Sequence, residues 1–132
     1  MNRVRNIRKE HGQTAVEFAL VLPLLTVLLL SVIQFGIAFN NYVTLTDAAR
    51  AGARKAIVAR LAGGSTADAE AVVRAAASDL DQAKLDVQVT APSWSTGGTE
   101  VTVTAKYPYD IDLLGWVVKS GYLTSTMKER LE

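Results

Sequence analysis

Apolar positions along this chain follow two regimes. Residues 15–39 are almost continuously hydrophobic, with Glu17 the one charge among them, whereas from Asn40 onward apolar and polar positions alternate at helix or strand spacing. At about 1.5 Å of rise per residue the first stretch makes a helix of roughly 37 Å, enough to cross a hydrocarbon core of ~30 Å with some tilt. The pattern predicts a membrane-spanning helix. Pro23 removes one helical N–H, which membrane helices tolerate, so a kink or local loosening is expected there and not an end. Gln34 is the other polar insertion, and its amide is expected to bond its own backbone or, secondarily, a facing helix.

The helix is predicted to continue past Phe39, because residues 40–62 contain no proline and are rich in good helix formers. On a helical wheel Leu45, Ala48, Ala49, Gly52, Ala56 and Ala59 share one face, and Asp47, Arg50 and Arg54 gather on the opposite one. Small side chains let another backbone approach closely. Leu45, Ala49, Gly52 and Ala56 are therefore the predicted helix packing face, toward the chain's own domain or a neighbouring helix. Gly63-Gly64 ends the helix, which over residues 13–62 would be roughly 75 Å long.

Ser65-Thr66 followed by Asp68 and Glu70 reads as a capped helix start with acids in the first turn. Apolar recurrence at Ala69, Val72, Val73, Ala76 and Leu80 extends that short amphipathic helix over residues 66–80. Alternation then predicts strands over 84–90 and 99–107, joined through a turn region at 91–98 as an antiparallel hairpin, and a third strand over 122–130. Asp110 and Asp112 are expected in turn and capping roles rather than as calcium ligands, since no further ligand run follows them. Leu113-Leu114-Gly115-Trp116-Val117-Val118 is either a helical turn plugging the core or an exposed interaction patch. The predicted fold class is α+β: a long N-terminal transmembrane helix extending into a spine, a second short helix, and a small antiparallel sheet of about three strands of unassigned order.

Composition narrows the chemistry. The chain has 132 residues, no cysteine and one histidine, His11. Disulfides and thiolate metal sites are excluded, and beyond the first twelve residues there is no histidine for acid–base or metal work. No catalytic, cofactor-binding or metal site is expected, and the protein reads as a non-enzyme. The domain left beside the apolar helix is small enough to be marginally stable alone. Charge is uneven: Arg3, Arg5, Arg8 and Lys9 stand against Glu10 immediately before the apolar run. Such a basic flank stays on the cytoplasmic side and is a topology signal rather than a nucleic-acid contact. It divides the chain into a basic cytoplasmic leader (1–12), a transmembrane part (13–39) and an extracytoplasmic α+β domain (40–132) that includes the helix extension 40–62. Cleavage by signal peptidase near Gly36-Ile37-Ala38 fits poorly, because the apolar core is longer than the usual ~7–15 residues.

The junction between leader and apolar run carries the most specific pattern. Gly12 is followed by Gln13-Thr14-Ala15-Val16-Glu17-Phe18, which resembles the cleavage motif of type IV prepilins, where the bond after the glycine is cut and glutamate becomes the fifth mature residue. The longer string, with Ala19-Leu20, Pro23, Phe35-Gly36, the segment from Ala48 through Arg54, Val101-Thr102-Val103 and Tyr107-Pro108, is similar to the TadE-like family. Its members are minor pilins or pseudopilins of the tight-adherence (Tad, Flp-type) pilus of bacteria. The resemblance implies a pilin-like fold, processing between Gly12 and Gln13 by a prepilin peptidase, and subunit assembly through Glu17, Phe18 and Pro23. In the family picture Glu17 neutralises the N-terminal amine of a neighbouring subunit. It further implies other pilin subunits and the assembly machinery as partners, and a single-pass location in the inner membrane with the N-terminus inside, before incorporation into a pilus that supports adhesion or biofilm formation. The alternative is an uncleaved single-pass membrane protein whose outer domain binds a partner or acts as an assembly chaperone.

Overall fold

A computed structural model describes residues 4–91, 94, 98–113 and 115–130, with side chains from Gly12 onward. Pro92 and Gly97 of the expected turn, and the leader's side chains, lie outside the described residues. Among the described residues five elements follow one another: α1 (Val4–Leu61), α2 (Thr66–Ala76), β1 (Asp86–Thr90), β2 (Glu100–Leu113) and β3 (Trp116–Arg130). The α+β reading holds, and the strand order β1-β2-β3 is an antiparallel meander.

Helix α1 begins at Val4, nine residues before the expected start, and passes through Gly12 and Pro23 without a break. Nothing in residues 4–11 opposes a helix, since Arg, Lys and Glu are good formers and the glycine costs only about 1 kcal/mol relative to alanine. The C-terminus closes as a Schellman turn. Gly63 takes φ +74°, the Gly64 N–H donates to the Ala59 carbonyl at 2.7 Å, and the Gly63 N–H donates to Arg60 at 3.2 Å. A left-handed residue is what this motif requires, and glycine reaches it without strain. Trp94 then ties the distant loop to this end: its Nε1–H donates to the Gly64 carbonyl at 3.0 Å, and Arg60 Nε donates to the Trp94 carbonyl at 3.1 Å.

Helix α2 starts where the acids predict. The Ser65 N–H donates to the Asp68 carboxylate at 2.6 Å, satisfying one orphan donor of the first turn. Asp68→Ala is expected to cost about 0.5–2 kcal/mol, read as faster amide hydrogen exchange in α2 and β2 of the full chain. The helix ends at Ala76, four residues earlier than expected. The reason lies in Gln82, whose amide donates to the carbonyls of Ala77 and Leu80 at 2.8 and 3.1 Å and so takes over the end of the helix. Ala77 and Leu80 stay buried in the turn that follows.

The core is shallow. Leu45, Val73, Val101 and Val103 are its largest fully buried side chains, and much of the rest is alanine from α1 and α2. Each fully buried valine or leucine contributes about 1.5–3 kcal/mol, so few contacts hold this domain.

The sheet departs most from expectation. β2 does not stop at Tyr107 but runs to Leu113, and β3 starts at Trp116 rather than Tyr122, making one long hairpin. Asp110 and Asp112 are thus strand residues, paired with Ser120 and Val117, and not turn or capping residues. Pro108 fits inside the strand because β1 pairs with β2 no further than Lys106, so Pro108 lies where β2 has one unpaired side. Gly121 sits beneath the Tyr109 ring, and a Cβ there would come within 2.9 Å of it.

Candidate functional site

The described side chains at the N-terminal end of α1 form an exposed surface. Every residue over 12–29 is exposed, including Val16, Phe18, Leu20, Leu24 and Leu25. Its hydroxyls are turned back onto the helix: Thr26 donates to the Leu22 carbonyl and Ser31 to the Val27 carbonyl, each at 2.8 Å. This leaves an apolar surface with its polar atoms satisfied internally, as a helix in hydrocarbon requires. It is long and apolar enough to cross a membrane by length and composition.

Glu17 projects from this surface. Its Oε1 accepts a hydrogen bond from Gln13 Nε2 at 3.1 Å, one turn toward the N-terminus. Gln13, Glu17 and Phe18 are all exposed, and Pro23 is exposed within the unbroken helix. At Gly12 a Cβ would meet nothing within 4 Å, so no packing contact among the described residues calls for a glycine there.

The predicted packing face lies in the second half of the same helix. Leu45, Ala49 and Ala56 are fully buried, and Gly52 is enclosed by Val73 and the Ala69 carbonyl of α2 and by Val103 of β2. The face is turned to the chain's own domain. Asp47 and Arg50, on the opposite side, form an exposed ion pair at 3.5 Å.

Sequence reasoning missed one contact between the two halves. Gln34 Nε2 bonds neither its own backbone nor a facing helix; it donates to the Asp112 carbonyl of β2 at 2.9 Å. The β2–β3 hairpin therefore lies along α1, with Tyr109, Ile111 and Leu123 over Phe35, Ala38 and Phe39 around an apolar groove of about 500 Å³. Only the unassigned apolar segment hinted at it. Among the described residues, no group of three or more His, Cys, Asp or Glu side chains is placed to hold a metal ion.

Comparison with known proteins falls on the same helix. Residues 12–54 match the family model described as TadE-like protein, which spans the apolar run, Glu17 and most of the small-residue face. The resemblance read from the junction is met over that segment, while Val101-Thr102-Val103 and Tyr107-Pro108 lie outside it. No curated protein and no solved structure gives a significant match. The match covers about a third of the chain, and it is that segment which is similar to TadE-like proteins.

Proposed function

Starting from a TadE-like segment that occupies the exposed apolar half of α1 and its continuation, we propose that the protein is a minor pilin or pseudopilin, without catalytic activity of its own. It enters the membrane through α1, is cut between Gly12 and Gln13 by a prepilin peptidase, and joins a tight-adherence pilus or its assembly base in support of adhesion or biofilm formation. The observation that carries this reading is an apolar helix surface, exposed at each residue over 12–29, that bears a single carboxylate. A charge in such surroundings is costly unless it is paired. Cleavage creates a suitable partner, the α-amine of Gln13, on each neighbouring subunit. Helices exchanging lipid for one another lose little solvation, so extraction into a filament is feasible, and a heterologous contact that does not close propagates as a helix.

Gly12 serves the cut in two ways. It has no side chain to obstruct a peptidase, and it lies inside α1, where glycine lowers the cost of opening the helix around the scissile bond by about 1 kcal/mol relative to alanine. Mass spectrometry of the protein recovered from membranes containing the peptidase is expected to show a chain beginning at Gln13. Gly12→Leu is expected to leave the leader attached; a wild-type protein that keeps Met1 under these conditions would sink the cleavage step. One observation favours the uncleaved alternative: the Gln13 amide already offers Glu17 a partner within its own helix. Under that reading Gly12→Leu changes neither the mass nor the behaviour of the protein.

A further inference from the structure

The geometry points to the tip of the β2–β3 hairpin as a second membrane-contacting element, a wedge led by Trp116, with Val117 and Val118 at its upper edge, set into the lipid interface on the sheet's side of the bilayer. The inference rests on the membrane-spanning reading of α1 and adds to it a contact made by the folded domain.

Depth follows from two independent counts. Val101 of β2 packs with Ala56, and Ile111 lies against Leu28, Val32 and Phe35. Ten strand residues at about 3.3 Å cover roughly 33 Å, and the helix from Ala56 to Phe35 covers roughly 32 Å. β2 therefore descends antiparallel to α1, and the Gln34–Asp112 hydrogen bond marks where it stands. Gly115, with φ +85° in the hairpin turn beyond the Leu113–Trp116 pair, stands about two strand steps below Asp112, roughly 7 Å, at the level of about residue 29 of α1. A bilayer core of ~30 Å takes up about twenty helical residues. Counted from Ala15, where the apolar run begins, it ends near Phe35. Gln34 and Asp112 then stand at the boundary, and the tip reaches several ångströms below it.

The chemistry of the tip changes at that same level. Trp116 is 82% exposed, and Val117 and Val118 are about two-thirds exposed. The sequence between Asp112 and Lys119 holds no ionisable residue, whereas Asp110, Asp112 and Lys119 stand at or above the Gln34 level, where headgroups and water reach them. Tryptophan favours this zone because its ring is apolar and its N–H can be solvated. The depth is also bounded from below. One side of β2 beyond Lys106 is unpaired, and open strand edges are excluded from the hydrocarbon interior, so the tip stays at the headgroup–acyl boundary, as interfacial elements do at roughly 5–10 Å. Continuity with the exposed surface of α1, through Leu28, Val32 and Phe35 beside Ile111, makes lipid the occupant rather than water.

The absence of cysteine permits a direct test on the full chain. Trp116→Cys is labelled with an environment-sensitive fluorophore and reconstituted into phosphatidylcholine–phosphatidylglycerol vesicles. The label is expected to shift to the blue and to lose most of its emission when the lipids carry a nitroxide near the top of the acyl chain, but not when iodide is added to the buffer. Thr126→Cys, on the same strand far above the tip, is expected to respond to iodide alone. Water-like emission from the label at position 116 in vesicle-bound protein overturns the inference. So does a blue shift that lipid nitroxides leave unquenched and that fades on dilution with lipid, which assigns the tip to a second copy of the chain. Protein that does not float with the vesicles overturns the spanning reading itself, a failure separate from both.

Discussion

Exchanging Glu17 for valine is expected to leave the protein at its normal level in the membrane and to keep it out of the pilus. The side chain is exposed, and its one described contact is the hydrogen bond from Gln13 within the same helix. Removing it cannot disturb the domain core, which lies more than twenty-five residues further along α1, beginning at Leu45. In the proposed assembly the loss is of another order. Each subunit brings one Gln13 amine into an apolar bundle, and the carboxylate of a neighbour offsets its desolvation. Deleting one member of a buried ion pair costs about 3–5 kcal/mol because the other charge is left uncompensated. At 1.4 kcal/mol per factor of ten, that weakens every subunit addition by roughly two to four orders of magnitude. Glu17→Gln keeps the length of the side chain and a hydrogen bond to Gln13 but not the charge, and it is expected to fail in the same way. The readout is two immunoblots, one of the membrane fraction and one of sheared surface pili. A Glu17→Val protein present in both at wild-type amounts removes the ion pair from the mechanism, whereas the uncleaved single-pass alternative predicts that wild type and variant alike stay in the membrane fraction and are missing from the sheared pili.

The two halves of α1 were unequally legible in the sequence. The apolar run, the small-residue stripe and the Gly63-Gly64 stop are local signals, and each carries its own physical cause, so the helix and its end were readable. The hairpin was not. Pro108, Gly115 and Gly121 punctuate residues 107–121 as turns do, and Asp110 and Asp112 add to that impression. They form strands because α1 lies alongside, because β1 ends before Pro108, and because the Tyr109 ring covers Gly121. The Gln34–Asp112 bond joins positions 78 apart in sequence, and no periodicity announces such a pair. At the candidate site the asymmetry is reversed. Glu17 and Gly12 stand out in the sequence because each is costly or idle where it sits, and the single subunit gives neither of them more to do than the Gln13 contact. Features of that kind draw attention to a partner that the isolated chain does not contain.

Gly52 is where the spine and the domain depend on each other most, and Gly52→Ala is expected to destabilise the protein even though alanine is the better helix former. A Cβ at this position would collide with Val73 Cγ2 and lie 3.3 Å from the Ala69 carbonyl and 3.6 Å from Val103 Cγ1. In an open helix the exchange would gain about 1 kcal/mol. Here the outcome turns on whether Val73 can move. It is fully buried, and a valine in a helix is confined to essentially one rotamer. The added methyl must therefore push α2 away from α1, and overpacking of this kind costs about 1–3 kcal/mol, enough to outweigh the propensity gain. Val73→Ala alone opens a void and is expected to cost about 2 kcal/mol, between the ranges for Ile→Val and Leu→Ala. Combined, the two changes should compensate, because the methyl at position 52 enters the space left by the valine. The double variant is expected to be more stable than the sum of the single losses by at least about 1 kcal/mol. For a domain of this size each kcal/mol moves the midpoint by roughly 4–8 °C, so the coupling is measurable on the full chain in detergent. Amide hydrogen exchange in β2 is the suitable probe, since the apolar half of α1 stays helical in the micelle and would mask the transition in a helix signal. Strictly additive losses would show that Gly52 is not held against Val73, and that the close approach of α1 and α2 does not depend on the missing side chain.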